Sequence, residues 1–146
     1  MSVRRTIHPK YPHKFQPIAD LDQDPPVQNT WYAVFSGTGG LRIRILAARQ
    51  INNEGWARNI EFRMTIDGTA IDATVTDQAS GSWYYWYILP SSDRVIGATP
   101  GAWMAHNYVA VECHDALIEM RITEAPGTNQ FLDGRVHYET LERLPG

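Results

Sequence analysis

One cysteine, two lysines and no apolar run of membrane-spanning length set the first limits on this chain. A lone Cys113 cannot form an intramolecular disulfide, so the fold must hold by packing, and the redox compartment is left open. No stretch approaches the ~20 apolar residues that cross a bilayer, so no membrane partner is expected. The N-terminus lacks the apolar core of a signal peptide, and no secretory route is expected. The formal charge of −3 argues against nucleic-acid affinity spread over the surface. The five histidines (His8, His13, His106, His114 and His137) include no pair spaced as metal ligands are spaced. No internal repeat and no convincing helical period are found, and no cofactor is implied.

What is present reads as β structure. The hydrophobic fraction of 43% and charged fraction of 20% belong to a globular chain long enough to bury a core. Its organising stretch is 59–77, N-I-E-F-R-M-T-I-D-G-T-A-I-D-A-T-V-T-D, a long hairpin turning at Asp67-Gly68. Asp-Gly between alternating apolar residues suits a type I′ turn, which needs φ > 0 at both central positions. A two-residue loop sets Ile66 against Thr69, Met64 against Ile71, Phe62 against Ala73 and Ile60 against Val75, all on one inward face. The outward face carries Glu61, Arg63, Thr65, Ala70, Asp72 and Thr74, with Arg63 opposite Asp72. One dry and one wet face is the pattern of an antiparallel sheet over a core.

Residues 1–29 differ in kind. They hold five of the nine prolines and both lysines, Lys10 and Lys14, with Arg4 and Arg5 nearby. Proline removes an amide donor and fixes φ, so the segment is excluded from a central strand. It reads as an extended arm, basic at its tip, with acids Asp20, Asp22 and Asp24 at its base. A disordered tail is the alternative; the apolar residues Val3, Ile7, Tyr11, Phe15, Ile18 and Leu21 favour an arm that docks, with a neighbouring copy as candidate partner.

The folded domain is expected over 30–146. Residues 31–35 form a strand, and Ser36-Gly-Thr-Gly-Gly40 a glycine turn. Leu41-Arg-Ile-Arg-Ile-Leu then alternates with period two, so a phosphate-cradling loop, which would open a helix, is excluded. Leu41, Ile43 and Ile45 point inward, and Arg42 and Arg44 outward. Asn52-Asn53-Glu54-Gly55 is a turn. After the hairpin comes Ser82-Trp-Tyr-Tyr-Trp-Tyr-Ile-Leu89, in which Trp83, Tyr85 and Tyr87 share one face and Tyr84, Trp86 and Ile88 the other. Only one set can fill the core. Residues 90–107 form a long loop, of a length often functional. A second hairpin over 108–124 is expected to turn at His114-Asp115, a poorer turn pair than Asp-Gly, with Val111 opposite Ile118 and Val109 opposite Met120. Cys113, Ala116, Ile118, Met120 and Ile122 point inward. The last strand runs over 134–143, with Val136, Tyr138 and Thr140 inward and His137 outward. The count of about seven or eight strands predicts an all-β fold, an antiparallel β-sandwich of which a jelly roll is one form.

No motif names a chemistry. Cys113 at an inward position reads as a small buried hydrophobe rather than a nucleophile. No spacing marks a catalytic carboxylate pair, and the protein is expected not to be an enzyme. A site built from His106 and the long loop is the weaker enzymatic alternative. The aromatic run offers two readings: a groove stacking sugar rings on Trp83, Tyr84, Tyr85, Trp86 and Tyr87, or a set split between core and an interface under the Trp103 loop or a neighbouring subunit. The basic tip of Arg4, Arg5, Lys10 and Lys14 could touch nucleic acid or an acidic protein surface, or simply be solvated; so few charges bind weakly and with strong salt dependence.

Asn29-Thr-Trp-Tyr-Ala-Val-Phe, then Gly-Gly-Leu-Arg-Ile-Arg-Ile, then Asn59-Ile-Glu-Phe-Arg-Met-Thr-Ile-Asp-Gly-Thr resembles small β-sandwich proteins of tailed-phage structural gene clusters. The resemblance covers residues 29–76, about a third of the chain. It implies a virion component assembled in the host cytoplasm, a capsid decoration or cement protein or a tail-associated module. Its partners would be further copies of itself and other virion structural proteins. The arm, with Arg4, Arg5, Ile7, Tyr11, Phe15 and Ile18, would contact neighbouring subunits. A carbohydrate- or receptor-binding module using the Trp83–Tyr87 strand is the alternative.

Overall fold

Alternating apolar residues with turn chemistry between them build two antiparallel sheets that pack face to face. The computed structural model describes residues 7–9, 18–23, 25–89, 94–96 and 111–143. Among them are eleven strands: β1 (Ile7–Pro9), β2 (Ile18–Gln23), β3 (Tyr32–Gly37), β4 (Leu41–Ile51), β5 (Arg58–Ile66), β6 (Thr69–Gln78), β7 (Tyr84–Leu89), β8 (Arg94–Ile96), β9 (Val111–Cys113), β10 (Ala116–Ile122) and β11 (Phe131–Arg143). The all-β sandwich-like fold expected from the pattern is present, with more strands than the sequence suggested. The additional ones come from the proline-rich segment and from β8, within the long loop.

The first sheet is built on two long antiparallel strands, β4 and β11. Each is flanked end to end by short ones. β4 pairs with β9 along its first half and β7 along its second, and β7 carries β8. β11 pairs with β2 and then with β1. The second sheet has the order β3-β10-β5-β6.

The core lies between the sheets. Val34, Leu41, Ile43, Leu46, Ile60, Phe62, Met64, Trp86, Ile118, Met120, Ile122, Leu132 and Val136 are buried together. The Trp86 ring meets Phe62 edge-on at 4.9 Å, a geometry worth about 0.5–1.5 kcal/mol beyond the area buried. Gly134 lets β11 pack closely on the second sheet, since a Cβ there would collide with the Met120 sulfur and press on Val34.

The central hairpin forms around the expected turn, with φ of 49° at Asp67 and 83° at Gly68. Its register agrees with the expectation only near the turn: Ile66 faces Thr69 and Met64 faces Ile71. A bulge then shifts the ladder, so Phe62 faces Thr74, Glu61 faces Val75 and Ile60 faces Thr76. A one-residue slip moves side chains to the opposite face. Val75, expected inward, is therefore 51% exposed. Arg63 binds Glu119 of β10 at 2.7 Å, on the strand's other side, while the side chain of Asp72, its expected partner, lies outside what the structure describes.

Among the described residues, the two strands of the second expected hairpin do not pair with each other. β9 pairs with β4, placing Leu41 opposite Cys113 and Ile43 opposite Val111. β10 pairs with β3 and β5 in the other sheet. His114-Asp115 is thus a corner between sheets. The inward residues were still assigned correctly, with Cys113, Ala116, Ile118, Met120 and Ile122 buried. Alternation survives because the corner changes the strand's partner, not its buried face. Val109 and most of the 90–107 loop lie outside the described residues.

Candidate functional site

Three features could meet a partner: the N-terminal strands, the aromatic strand and the outward tryptophans. β2 lies on β11 with Ile18 opposite His137 and Gln23 opposite Leu132; β1 lies farther along with Ile7 opposite Arg143 and Pro9 opposite Leu141. The proline-rich segment therefore supplies edge strands, where a missing amide donor is tolerated. Ile7 and Ile18 are in these strands, whereas Arg4, Arg5, Tyr11, Phe15 and Trp103 lie outside the described residues, as do His13 and His106.

Among the described residues between β2 and β3, residues 27–30 are tied to the second sheet. Asn29 N donates to Ile122 O at 2.8 Å, Gln28 Nε2 to Thr123 O at 3.0 Å, and Val27 N to Tyr32 Oη at 2.9 Å. Residues 27–30 are thus fixed to the second sheet, while β2 is fixed to the first. Pro25 and Pro26 form part of the joint between them. Val27 beside it is 61% exposed.

The aromatic strand divides as period two demands. Trp86 is fully buried and Tyr84 packs against the core. Tyr84 Oη also accepts the Ala79 amide at 3.0 Å. Trp83 and Tyr85 are partly exposed. Tyr87 continues the strand, pairing with Ile96 of β8. Two guanidinium groups lie over Trp83, Arg49 at 4.9 Å and Arg135 at 4.4 Å from its centroid. Arg49 is also bound to Asp133 at 2.7 Å.

The second sheet repeats the arrangement at Trp31, which the sequence did not single out. Arg63 and Arg121 lie 4.1 and 4.4 Å from that ring, held by Glu119 and Glu61 respectively. Arg–aromatic contacts of this kind contribute about 0.5–1 kcal/mol at exposed sites. On the first sheet, Arg42 binds Glu112 at 2.7 Å and shares Glu139 with Arg44. Burial works to lower the Arg42 pKa, but hydrogen bonds and charge from Glu112 and Glu139 outweigh it and raise it. The outward faces are ion-paired and half-buried, not the ordinary solvated surface expected of the hairpin.

Two further clusters were not legible as sites. Gln50, Asn52, Gln78 and Gln130 are buried at one end of the sandwich. Gln50 Oε1 accepts from Asn52 Nδ2 and Gln130 Nε2, and Gln50 Nε2 donates to Trp56 O and Gln78 O. Alternation gave no signal for Gln50, because the expected inward set Leu41, Ile43 and Ile45 would turn Leu46, Ala48 and Gln50 outward, whereas all three are buried. At the other end, Asp67 Oδ1 accepts the His114 and Asp115 amides at 2.9 and 2.8 Å. Cys113 beside this corner is buried, and desolvation, with the nearby Asp67 and Asp115, pushes its thiol up to about 12. Such a thiol is a poor nucleophile at neutral pH.

Compared with protein-family models, with curated proteins and with solved structures, the chain matches none.

Proposed function

We propose that this protein is a non-enzymatic structural component of a tailed-phage particle, a β-sandwich present in many copies on capsid or tail. Its partners are then further copies of itself and other virion proteins, and its N-terminal arm contacts neighbouring subunits. The observation that carries the reading is the use of residues 7–9 and 18–23 as short strands on the β11 edge. Strand addition docks a segment through backbone hydrogen bonds and suits repeated assembly. The resemblance over residues 29–76 supplies the virion context. Outward tryptophans with stacked arginines, the residue types that dominate interface energetics, are consistent with subunit contact.

The test is electron microscopy of the source particles with an antibody against this chain. Label repeating with the particle's symmetry is expected; particles without the chain would overturn the reading. Deleting residues 1–29 is expected to leave a folded protein that no longer joins the particle.

The glycan-binding alternative has less support. Trp83 and Tyr85 face away from the core, but a sugar stacking on Trp83 would compete with two guanidinium groups. Glycan-array binding abolished by Trp83→Ala would revive it.

A further inference from the structure

We propose that the amide-cluster end of the sandwich is the docking surface for the basic tip of the arm, around Arg4 and Arg5, of a second copy, so that copies join head to tail. This deepens the assembly reading and rests on its claim that the arm contacts a neighbour. It adds the acceptor surface and the polarity of the contact, while β1 and β2 stay on their own β11.

The buried amides grip the backbone of exposed aromatics. Asn52 Oδ1 accepts the Trp56 amide at 2.8 Å, Gln50 and Asn52 both donate to Trp56 O, and Gln130 donates to Phe131 O. Yet the Trp56 and Phe131 side chains are 49% and 36% exposed. Val27 is exposed at the same end, where Asn29 and Gln28 bond to Ile122 and Thr123. None of the exposed large apolar side chains that the structure describes lies at the Asp67 corner. Anchors held rigid before contact lose little entropy on binding.

Charge and chain length select the occupant. Glu54 and Asp77 are exposed at this end and Glu124 partly so, while Arg58 folds over Trp56 at 4.7 Å. Residues 1–14 carry Arg4, Arg5, Lys10 and Lys14 and no acid, so the arm complements an apolar surface fringed with carboxylates. The tip cannot reach this surface on its own chain. Ile7 lies opposite Arg143, the last residue of β11, whereas the amide end holds Phe131, its first. The 13 residues of β11 span about 40 Å. Arg4 and Arg5 are within three residues of Ile7, a backbone reach of about 10 Å. The tip of a second copy has no such limit. Head-to-tail contacts repeat from copy to copy, closing as rings or continuing as filaments.

A charge swap tests the contact. Sedimentation velocity in low salt compares the full-length wild type with Arg4→Glu/Arg5→Glu, with Glu54→Lys/Asp77→Lys, and with an equimolar mixture of the two variants. The wild-type mass is expected to rise above 16.5 kDa with concentration, and each variant alone to stay at 16.5 kDa. The mixture is expected to associate again, because each arm then meets an acceptor of opposite charge. A wild type that stays monomeric at about 1 mM, where even a millimolar Kd half-fills the contact, would overturn the proposal. Association that survives Arg4→Glu/Arg5→Glu would also overturn it, since the amide end would then meet its own copy or play no part. So would a mixture that stays monomeric while both variants melt as the wild type does. Should Glu54→Lys/Asp77→Lys fail to fold, Trp56→Ser supplies the acceptor variant, and association undiminished by it overturns the proposal. Charge-dependent association of a protein missing from the particles would remove the virion reading alone. Particles containing the protein, with a purified chain that stays monomeric, would remove this contact alone.

Discussion

The two ends of the sandwich are closed by opposite chemistry. Strand β4 runs from one to the other. Around its last residues, Gln50, Asn52, Gln78 and Gln130 bury four neutral amides that bond mainly to one another and to backbone carbonyls. Before its first residue, an exposed carboxylate, Asp67, holds two backbone amides of the His114-Asp115 corner. The Asp67 amide donates back to Asp115 O at 3.0 Å. The first closure is dry and uncharged, while the second is wet and ionic. Equal hydrogen-bond counts would not make them equal in stability. A buried polar group stripped of its partner bears the full desolvation penalty, whereas an exposed one returns to water.

The largest expected effect therefore falls at the amide end. Gln50→Ala removes four hydrogen bonds at once, those from Asn52 Nδ2 and Gln130 Nε2 and those to Trp56 O and Gln78 O, and leaves a cavity in a buried polar network. A loss on the order of 4 kcal/mol is expected in urea denaturation. A loss below about 1 kcal/mol would mean that water or neighbouring groups replace Gln50, and the contrast between the ends would collapse.

Asp67→Ala is the matching change at the other end. It removes two charge-assisted acceptances in exposed surroundings, so about 1–2 kcal/mol is expected in the same assay. Because Asp67 holds the corner that follows Cys113, the variant should also speed modification of that thiol by a disulfide reagent at neutral pH. Unchanged labelling would show that the corner stays closed without the carboxylate.

These ends also show where the sequence was legible. The Asp67-Gly68 turn could be read because its φ requirement is local, and the inward sets on β5 and β10 because burial repeats every second residue. The Phe62–Thr74 shift was invisible, since Ala73 and Val75 satisfy the unbulged pattern as well as the bulged one. The role of His114-Asp115 depends on which sheet β9 joins, a choice set by β4 rather than by either residue. The amide cluster escaped for a related reason: four glutamine and asparagine side chains from separate strands and loops converge only once the sheets close. The N-terminal segment was recognised as extended, but its place on β11 is a pairing between residues more than a hundred positions apart, which no local pattern encodes.

The third prediction uses the buried thiol as a pH probe of the acid end. Burial raises the folded pKa of Cys113 to about 12, above the value near 8.5 of an exposed thiol. Its neutral form therefore favours folding, fully below the unfolded value and progressively less as pH rises toward the folded one. Between about pH 9 and 12 the wild type should lose stability progressively relative to Cys113→Ala, whose own offset is constant with pH. Parallel stability curves for the two proteins would show that the thiol ionises equally well in both states.

The smallest effect is expected where the amide end meets solvent. Glu54 is its titratable fringe: hydrogen bonds from the Thr128 side chain and then the Thr128 backbone hold the carboxyl below the ordinary glutamate value. The backbone amide approaches to 2.9 Å. A lowered folded pKa favours folding above the unfolded value, and that contribution disappears as pH falls through the folded one. Glu54→Gln should therefore melt slightly below the wild type at neutral pH, and the gap should close as pH drops below about 4. Full exposure leaves the group screened, so the gap should also shrink in high salt. A gap constant with pH and salt would assign the effect to the shape of the 52–55 turn rather than to charge. It would also leave the amide end with no measurable ionic contribution, making the chemical contrast with the Asp67 end sharper than the geometry alone requires.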